Sequence, residues 1–169
     1  MAQTLTVRPA RGDDLGALDQ MMARSFPALL RKDYPPSIMV TAVPLISKAQ
    51  PGLLRSGTYF VAEDEDRTLI GAGGWSLTDP HDGDRRRQTG HIRHFAVDHR
   101  LARRGIGRAL MAHVMRQASA LGVRRLVAMS TRSAVAFYSA QGFTAIEDVD
   151  VPLRPGIRFP AVRMVRGLT

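Results

Sequence analysis

The chain has 169 residues and a formal net charge of +9, from 24 lysine or arginine residues against 15 aspartate or glutamate residues. This length predicts a single domain over residues 1–169 with a sizeable core, and the absence of cysteine excludes disulfides, thiolate metal sites and thiol nucleophiles. No apolar run is long enough to span a membrane and the N-terminus has no secretory leader pattern, so we expect a cytoplasmic protein.

The N-terminal half predicts a strand, two helices and a hairpin. Leu15, Leu18, Met21 and Met22 fall on one face of the first helix, which the acidic pair Asp13–Asp14 begins. In chain order, the predicted elements are a strand at 5–8, a helix from 13 to about 24, a Pro-bearing connection at 26–36, a second helix that begins near Ser37 and is kinked or split by Pro44, and a hairpin of strands 58–63 and 68–75.

The C-terminal half predicts alternating strands and helices, then a closing hairpin. The elements are a strand at 91–98, a helix from about 105 to 121, a strand at 125–130, a helix at 133–141 and hairpin strands at 143–151 and 157–165. Alternation along the strand at 91–98 places Arg93 on the same face as His91, and His94 on the opposite face.

The segment from His91 to Met111 combines a strand, a glycine turn and the beginning of a helix. Orphan backbone N–H groups at a helix start, with the positive end of its dipole, favour an anion, and Gly105 and Gly107 allow the backbone to approach a phosphate. The spacing excludes a Walker loop, which needs a lysine, and a Rossmann fingerprint, because position 110 is Leu. A plain helix entry, with arginines for solubility, is the alternative interpretation.

A second motif follows about 30 residues later, where Phe137-Tyr138 and Gly142-Phe143 begin and close a short helix. In this order the two motifs resemble the GNAT N-acetyltransferase superfamily, whose members transfer an acetyl group from acetyl-CoA to an amine. The resemblance implies a mixed α/β fold. Its central, twisted, mostly antiparallel sheet has a splay between the fourth and fifth strands and is flanked by helices.

The resemblance also implies where acetyl-CoA, the acetyl donor substrate, binds. The pyrophosphate is expected on the glycine turn, and the pantetheine along the preceding strand. The implied contacts are Phe95, Ala96, Val97, Arg103, Arg104, Gly105, Ile106, Gly107, Arg108 and Thr131. This sequence departs from the family pattern at Ala102, where a glutamine or arginine is usual, so Arg100, Arg103 or Arg104 is expected to supply that contact.

Two residues are expected to carry the chemistry. Tyr138 matches the family tyrosine beside the thioester sulfur, and a phenol is a suitable acid for the departing thiolate. His91 stands where the family often has a glutamate base, and histidine titrates close to physiological pH. A packed strand histidine is the other interpretation of His91. Arg93 could instead bind a carboxylate of the substrate.

The basic charge predicts a polyanionic partner, and coenzyme A is one. Nucleic acid is the less favoured partner, because aromatic residues make up 6% of the chain and none interleave with arginines as a stacking platform. No histidine pair has metal-binding spacing, so no metal is expected. The favoured function is N-acetylation of a small molecule or protein amine. The alternative is a non-catalytic module of the same fold that binds acyl-CoA or nucleic acid. A homodimer is left open.

Overall fold

The computed structural model describes residues 4–83, 85–86 and 88–168. These residues form one seven-stranded sheet in the order β1-β2-β3-β4-β5-β7-β6. The strands are β1 (Thr6–Pro9), β2 (Tyr59–Glu63), β3 (Leu69–Ser76), β4 (Thr89–Val97), β5 (Arg125–Ser130), β6 (Thr144–Arg154) and β7 (Ile157–Gly167). The helices are α1 (Leu15–Leu30), α2 (Pro36–Thr41), α3 (Val43–Ile46), α4 (Pro51–Leu54), α5 (Ile106–Ala120) and α6 (Val135–Ala140).

The fourth and fifth strands diverge after a short parallel contact. In the part of the chain that the structure describes, β4 pairs with β5 from Thr89 to His91, opposite Arg125 to Val127, and no further. The other neighbouring strands pair antiparallel. The mixed sheet with a splay between its fourth and fifth strands is therefore confirmed.

The core consists of two hydrophobic clusters, one on each face of the sheet. One cluster joins α1 to α4 with the sheet and contains the predicted face of Leu18, Met21 and Met22, which are fully buried. The other cluster lies under α5 and α6 and includes Leu110 and Val114. We call these the α1 face and the α5 face.

The segment between α1 and β2 differs from the sequence prediction. Helix α1 was expected to end near Arg24 but continues through Pro27 to Leu30. Proline costs the helix one hydrogen bond, but Phe26 and Leu30 are buried in the α1-face cluster, and this burial favours two more turns. The predicted second helix is split beside Pro44 into α2 and α3, as expected, but Pro35 rather than Ser37 precedes it, and the short helix α4 was not predicted.

Strand β4 contains a bulge that changes which face its residues occupy. Two residues, His94 and Phe95, lie opposite Gly73, and His94 has a left-handed φ of 48°. The His94 ring stacks on Phe26 of α1, with 5.7 Å between centroids, and its Nε2 lies 2.7 Å from the Ile46 carbonyl oxygen. The prediction that His94 lies on the face opposite His91 is wrong, because the bulge places it on the α1 face.

Candidate active site

The splay exposes backbone groups of β4 that have no strand partner. The Asp98 N–H donates to the Ile70 carbonyl of β3 at 2.9 Å. Because backbone groups alternate in direction along a strand, those of Phe95 and Val97 point away from β3 into the splay, while those of Ala96 face β3. The three residues predicted to contact the pantetheine therefore border the gap, and Phe95 and Val97 present free backbone donors and acceptors there.

The beginning of α5 forms a set of free N–H groups beside the splay. The first helical bond runs from Ala109 N–H to the Gly105 carbonyl at 3.0 Å. The N–H groups of Ile106, Gly107 and Arg108 therefore have no acceptor within the described residues. Gly105 precedes the helix with a φ of 82°, and a Cβ built on it would meet nothing within 4 Å. These N–H groups and the helix dipole favour an anion in that open space.

The arginines near this helix start divide into two groups. Arg103, Arg104 and Arg108 are exposed, and the described part of the chain gives them no ion pair. Arg100 was one candidate for a phosphate contact, but its Nη2 lies 2.8 Å from the buried carboxylate of Asp98. Arg24 of α1 reaches the same carboxylate at 3.0 Å. The hydrogen bonds from Arg100, together with the one from Arg24, hold the pKa of Asp98 well below its usual range. Burial of the carboxylate acts in the opposite direction but is outweighed.

Gly107 has a different role from Gly105. A Cβ at Gly107 would lie 2.9 Å from the Phe137 ring of α6, so the missing side chain allows α6 to pack on the beginning of α5. Phe137 also lies near Phe95 of β4, with 6.4 Å between ring centroids. The two sequence motifs and the splay are thus joined by one set of packed aromatic rings.

Tyr138 lies in the same aromatic set. It is 6% exposed, and its ring makes edge contacts with Phe137 and Phe143, each with 5.3 Å between centroids. Burial raises the pKa of Tyr138, so its hydroxyl keeps its proton at neutral pH and can act as a donor. Thr131 is partly exposed and precedes the turn that leads into α6.

His91 is the last residue of β4 that pairs with β5 before the splay. It is 8% exposed, and its Nδ1 lies 3.9 Å from the Asp79 carboxylate. Burial lowers the pKa of His91, and the negative charge of Asp79 opposes this effect in part. The imidazole is therefore neutral at physiological pH and can accept a proton. Sequence reasoning missed Asp79, because the residue lies in a polar loop with no motif around it.

His91 and Tyr138 belong to opposite faces of the sheet. A Cβ at Gly90 would contact Leu126 of the α5 face, so the next residue, His91, points to the α1 face. Tyr138 is part of the α5-face cluster. The two side chains are therefore separated by the sheet, and β4, which carries His91, parts from β5 directly after this residue.

The described residues contain neither a candidate metal site nor a candidate membrane-spanning helix. No three histidine, aspartate or glutamate side chains are grouped so that they could hold a metal ion. Among the described helices, none combines the length and apolar character needed to cross a membrane.

Known proteins share both the sequence pattern and the fold. The model of the acetyltransferase (GNAT) family matches residues 23–143. A GCN5-related N-acetyltransferase structure from Rhodopseudomonas palustris is 19% identical with a TM-score of 0.79, over 99% of this chain and 98% of that one. The PaiA N-acetyltransferase of Thermoplasma acidophilum, in complex with coenzyme A, is 16% identical with a TM-score of 0.74, over 97% and 99% of the two chains.

The ribosomal-protein-S18-alanine N-acetyltransferase of Escherichia coli has a TM-score of 0.65 at 17% identity, over 98% of this chain and 95% of that one. At these identities the structural likeness shows the fold alone. No curated protein matches the chain in sequence. The family model, however, spans well over half of the chain, and its match includes both motifs. The chain belongs to the GNAT acetyltransferase family.

Proposed function

We propose that the chain is an N-acetyltransferase, a single domain over residues 1–169 that transfers the acetyl group of acetyl-CoA directly to an amine. The observation that carries the proposal is the position of the free N–H groups of α5 beside the splay. The beginning of α5 offers a binding place for an anion at Gly105, and the adjacent edge of β4 offers unpaired backbone groups at Phe95 and Val97. A long ligand with phosphates at one end and an amide-bearing arm suits both.

Each end of the donor site has residues of suitable chemistry. The backbone of Ile106 to Arg108 and the exposed side chains of Arg103, Arg104 and Arg108 would hold the pyrophosphate, since none of these arginines pairs with a carboxylate in the described residues. Phe95 and Val97 would bind the pantetheine amides as a neighbouring strand would, with Ala96 between them, and Thr131 would lie on the opposite side of the gap.

The transfer forms a bond between the amine nitrogen and the acetyl carbon and breaks the bond from that carbon to sulfur. Acetyl-CoA supplies the activated acetyl thioester. Neutral His91 takes one proton from the amine, directly or through a water molecule. The Tyr138 hydroxyl gives its proton to the departing thiolate. Afterwards His91 releases the amine proton to solvent and Tyr138 takes up a proton from solvent. The products are an N-acetyl amide and coenzyme A with a free thiol.

Release of coenzyme A in the presence of amines tests the proposal. Purified protein is incubated with acetyl-CoA and a mixed panel of amino acids, polyamines, arylalkylamines and N-terminal peptides. Thiol release is followed with a disulfide reagent, and the acetylated product is identified by mass spectrometry. The panel leaves out cysteine and cysteine-containing peptides, and the chain itself has no cysteine, so the reagent reports coenzyme A alone. Amine-dependent thiol release with a matching acetylated product is expected.

The same experiment separates the enzyme from a binding module. A module that binds acyl-CoA without catalysis would show calorimetric binding of coenzyme A but no amine-dependent thiol release. A nucleic-acid-binding module would retain duplex or single-stranded nucleic acid and would release no thiol. Either result would reject the proposed activity.

A further inference from the structure

Arg93 of β4 carries a partly buried positive charge that no carboxylate neutralises in the described residues. Its Nη1 donates to the Ser76 hydroxyl oxygen at 3.1 Å, and Ser76 in turn donates to the Thr78 carbonyl at 2.8 Å. This hydrogen bond is the only one that the structure gives the guanidinium within its described part, although the group has five N–H donors. Asp79 acts on Arg93 through its charge but lies outside ion-pair distance.

Two other partly buried arginines, Arg8 and Arg24, are paired with carboxylates, whereas the partly buried Arg163 and Arg166 have no ion pair among the described residues. Arg8 reaches Asp14 at 2.9 Å and Glu63 at 3.0 Å, and Arg24 reaches Asp98 at 3.0 Å. Removing a guanidinium from water is costly unless a carboxylate replaces the lost hydration. Arg93 differs from Arg163 and Arg166 in its position, because it lies two residues after the end of the β4–β5 pairing, where an external anion could reach its guanidinium.

The position of Arg93 places this charge beside the reaction centre proposed above. It comes two residues after His91, the last residue that pairs with β5, so it borders the beginning of the splay. Ser76 lies directly opposite His91 in the antiparallel pair of β3 and β4, so their side chains are on the same face. The Arg93 guanidinium contacts the Ser76 hydroxyl, so Arg93 shares the α1 face with His91. Two residues of a strand span about 7 Å. A small acceptor could therefore approach His91 with its amine and Arg93 with another group.

We propose that Arg93 binds a carboxylate of the acetyl acceptor, so that the acceptor is a small amine that also carries a carboxylate, as an amino acid does. This inference rests on the proposed N-acetyltransferase function. The planar guanidinium accepts a carboxylate through two parallel hydrogen bonds, and the hydrogen bond from Nη1 to Ser76 orients it. A polyamine would meet a like charge at this place.

Matched pairs of acceptors test the proposal. Each L-amino acid is compared with its α-carboxamide, which keeps the amine and the side chain but removes the negative charge. Phenethylamine and spermidine are included as acceptors that carry no carboxylate. The α-amine of a carboxamide is the weaker base and is more often deprotonated, so intrinsic reactivity favours the amide. A preference for the acid in kcat/KM must therefore come from binding.

The wild-type protein is expected to prefer the acid by about 10- to 100-fold, the range for hydrogen bonds to charged groups. In Arg93→Gln this ratio should approach 1, while calorimetry gives an unchanged affinity for coenzyme A. Arg116→Gln removes the same charge from the exposed surface of α5 and should keep the wild-type ratio. If Arg93→Gln fails to fold by circular dichroism, Arg93→Lys replaces it, and its ratio should fall because an ammonium cannot bind both oxygens in parallel.

Three results would overturn the inference. They are a wild-type ratio within a factor of two of unity, an unchanged ratio in the Arg93 variant, and acetylation confined to phenethylamine or spermidine. Each of these leaves the N-acetyltransferase activity intact and rejects only the carboxylate-bearing acceptor. Failure to acetylate any member of the panel would instead reject the proposed function, and this inference with it.

Discussion

Replacing Tyr138 with phenylalanine should separate proton donation from packing. The substitution removes one oxygen and keeps the ring, whose edge contacts with Phe137 and Phe143 remain at 5.3 Å. The structure gives the hydroxyl no hydrogen bond to any described residue, so its loss leaves no buried group without a partner. The free energy of unfolding should therefore change by less than about 0.5 kcal/mol.

The rate of the same variant should change far more. Loss of a general acid lowers turnover by roughly 10²–10⁴-fold, which is about 3–5 kcal/mol of activation free energy. The affinity for coenzyme A should remain within a factor of two, because the hydroxyl contributes to the departure of the thiolate and not to phosphate binding. Turnover is measured as thiol release with a saturating acceptor, and affinity by calorimetry.

Tyr34→Phe provides a control with the same chemical change, but it is expected to lower the free energy of unfolding more than the turnover. The Tyr34 hydroxyl donates to the Pro160 carbonyl at 2.7 Å and accepts from the Arg132 N–H at 2.8 Å. Its loss should lower the free energy of unfolding by about 1–3 kcal/mol, with a smaller effect on turnover. If Tyr138→Phe keeps turnover within a factor of two of wild type, Tyr138 is a packing residue and the proposed acid role is wrong.

Three further predictions concern the base, the anion cradle and the stability. In the wild type the rate should fall as pH drops through the lowered pKa of His91, and His91→Ala should remove this acid limb of the pH–rate profile. An identical acid limb in both proteins would reject His91 as the base. Gly105→Val should abolish calorimetric binding of coenzyme A, whereas Gly122→Val, with a similar positive φ and open space at the other end of α5, should keep the affinity; equal losses would point to backbone strain alone. Burial lowers the folded-state pKa of both His91 and His94, so as pH falls the unfolded chain binds protons before the folded chain does. The free energy of unfolding measured in urea should therefore fall as pH drops below about 6.5. A free energy of unfolding that stays constant from pH 7 to 5 would contradict the burial of neutral imidazoles.

Local patterns were enough to predict the elements that surround the donor site. The apolar run at 125–130 coincides with β5, and the apolar face with a glycine at each end predicted α5 to within one residue at both ends. These elements were predictable because periodicity, helix capping and burial all favour the same conformation there. The motif around Gly105 was visible for the same reason, since a left-handed residue before a helix favours glycine.

Features that depend on distant contacts could not be predicted in this way. Helix α1 passes through Pro27 because of its packing, and no local rule favours that outcome. His94 has a left-handed conformation, and its ring contacts Phe26 and Ile46, which are far away along the chain. Asp79 approaches His91 only because strand pairing brings the end of β3 to the beginning of β4. Gly107 was assigned to phosphate binding, but its contact with Phe137 could not be foreseen without the position of α6.

The divergence of β4 and β5 gives the protein a sheet edge in its interior. Unpaired strand edges on a surface can add a strand from another molecule, which is a common route to aggregation. Here helices α1 and α5 cover the two faces of β4, so a second polypeptide cannot approach those backbone groups as easily as a narrow, extended ligand can. The chain can thus keep hydrogen-bonding groups vacant for a ligand without offering them to its neighbours. The same groups at Phe95 and Val97 should become slow to exchange their amide hydrogens when coenzyme A occupies the gap.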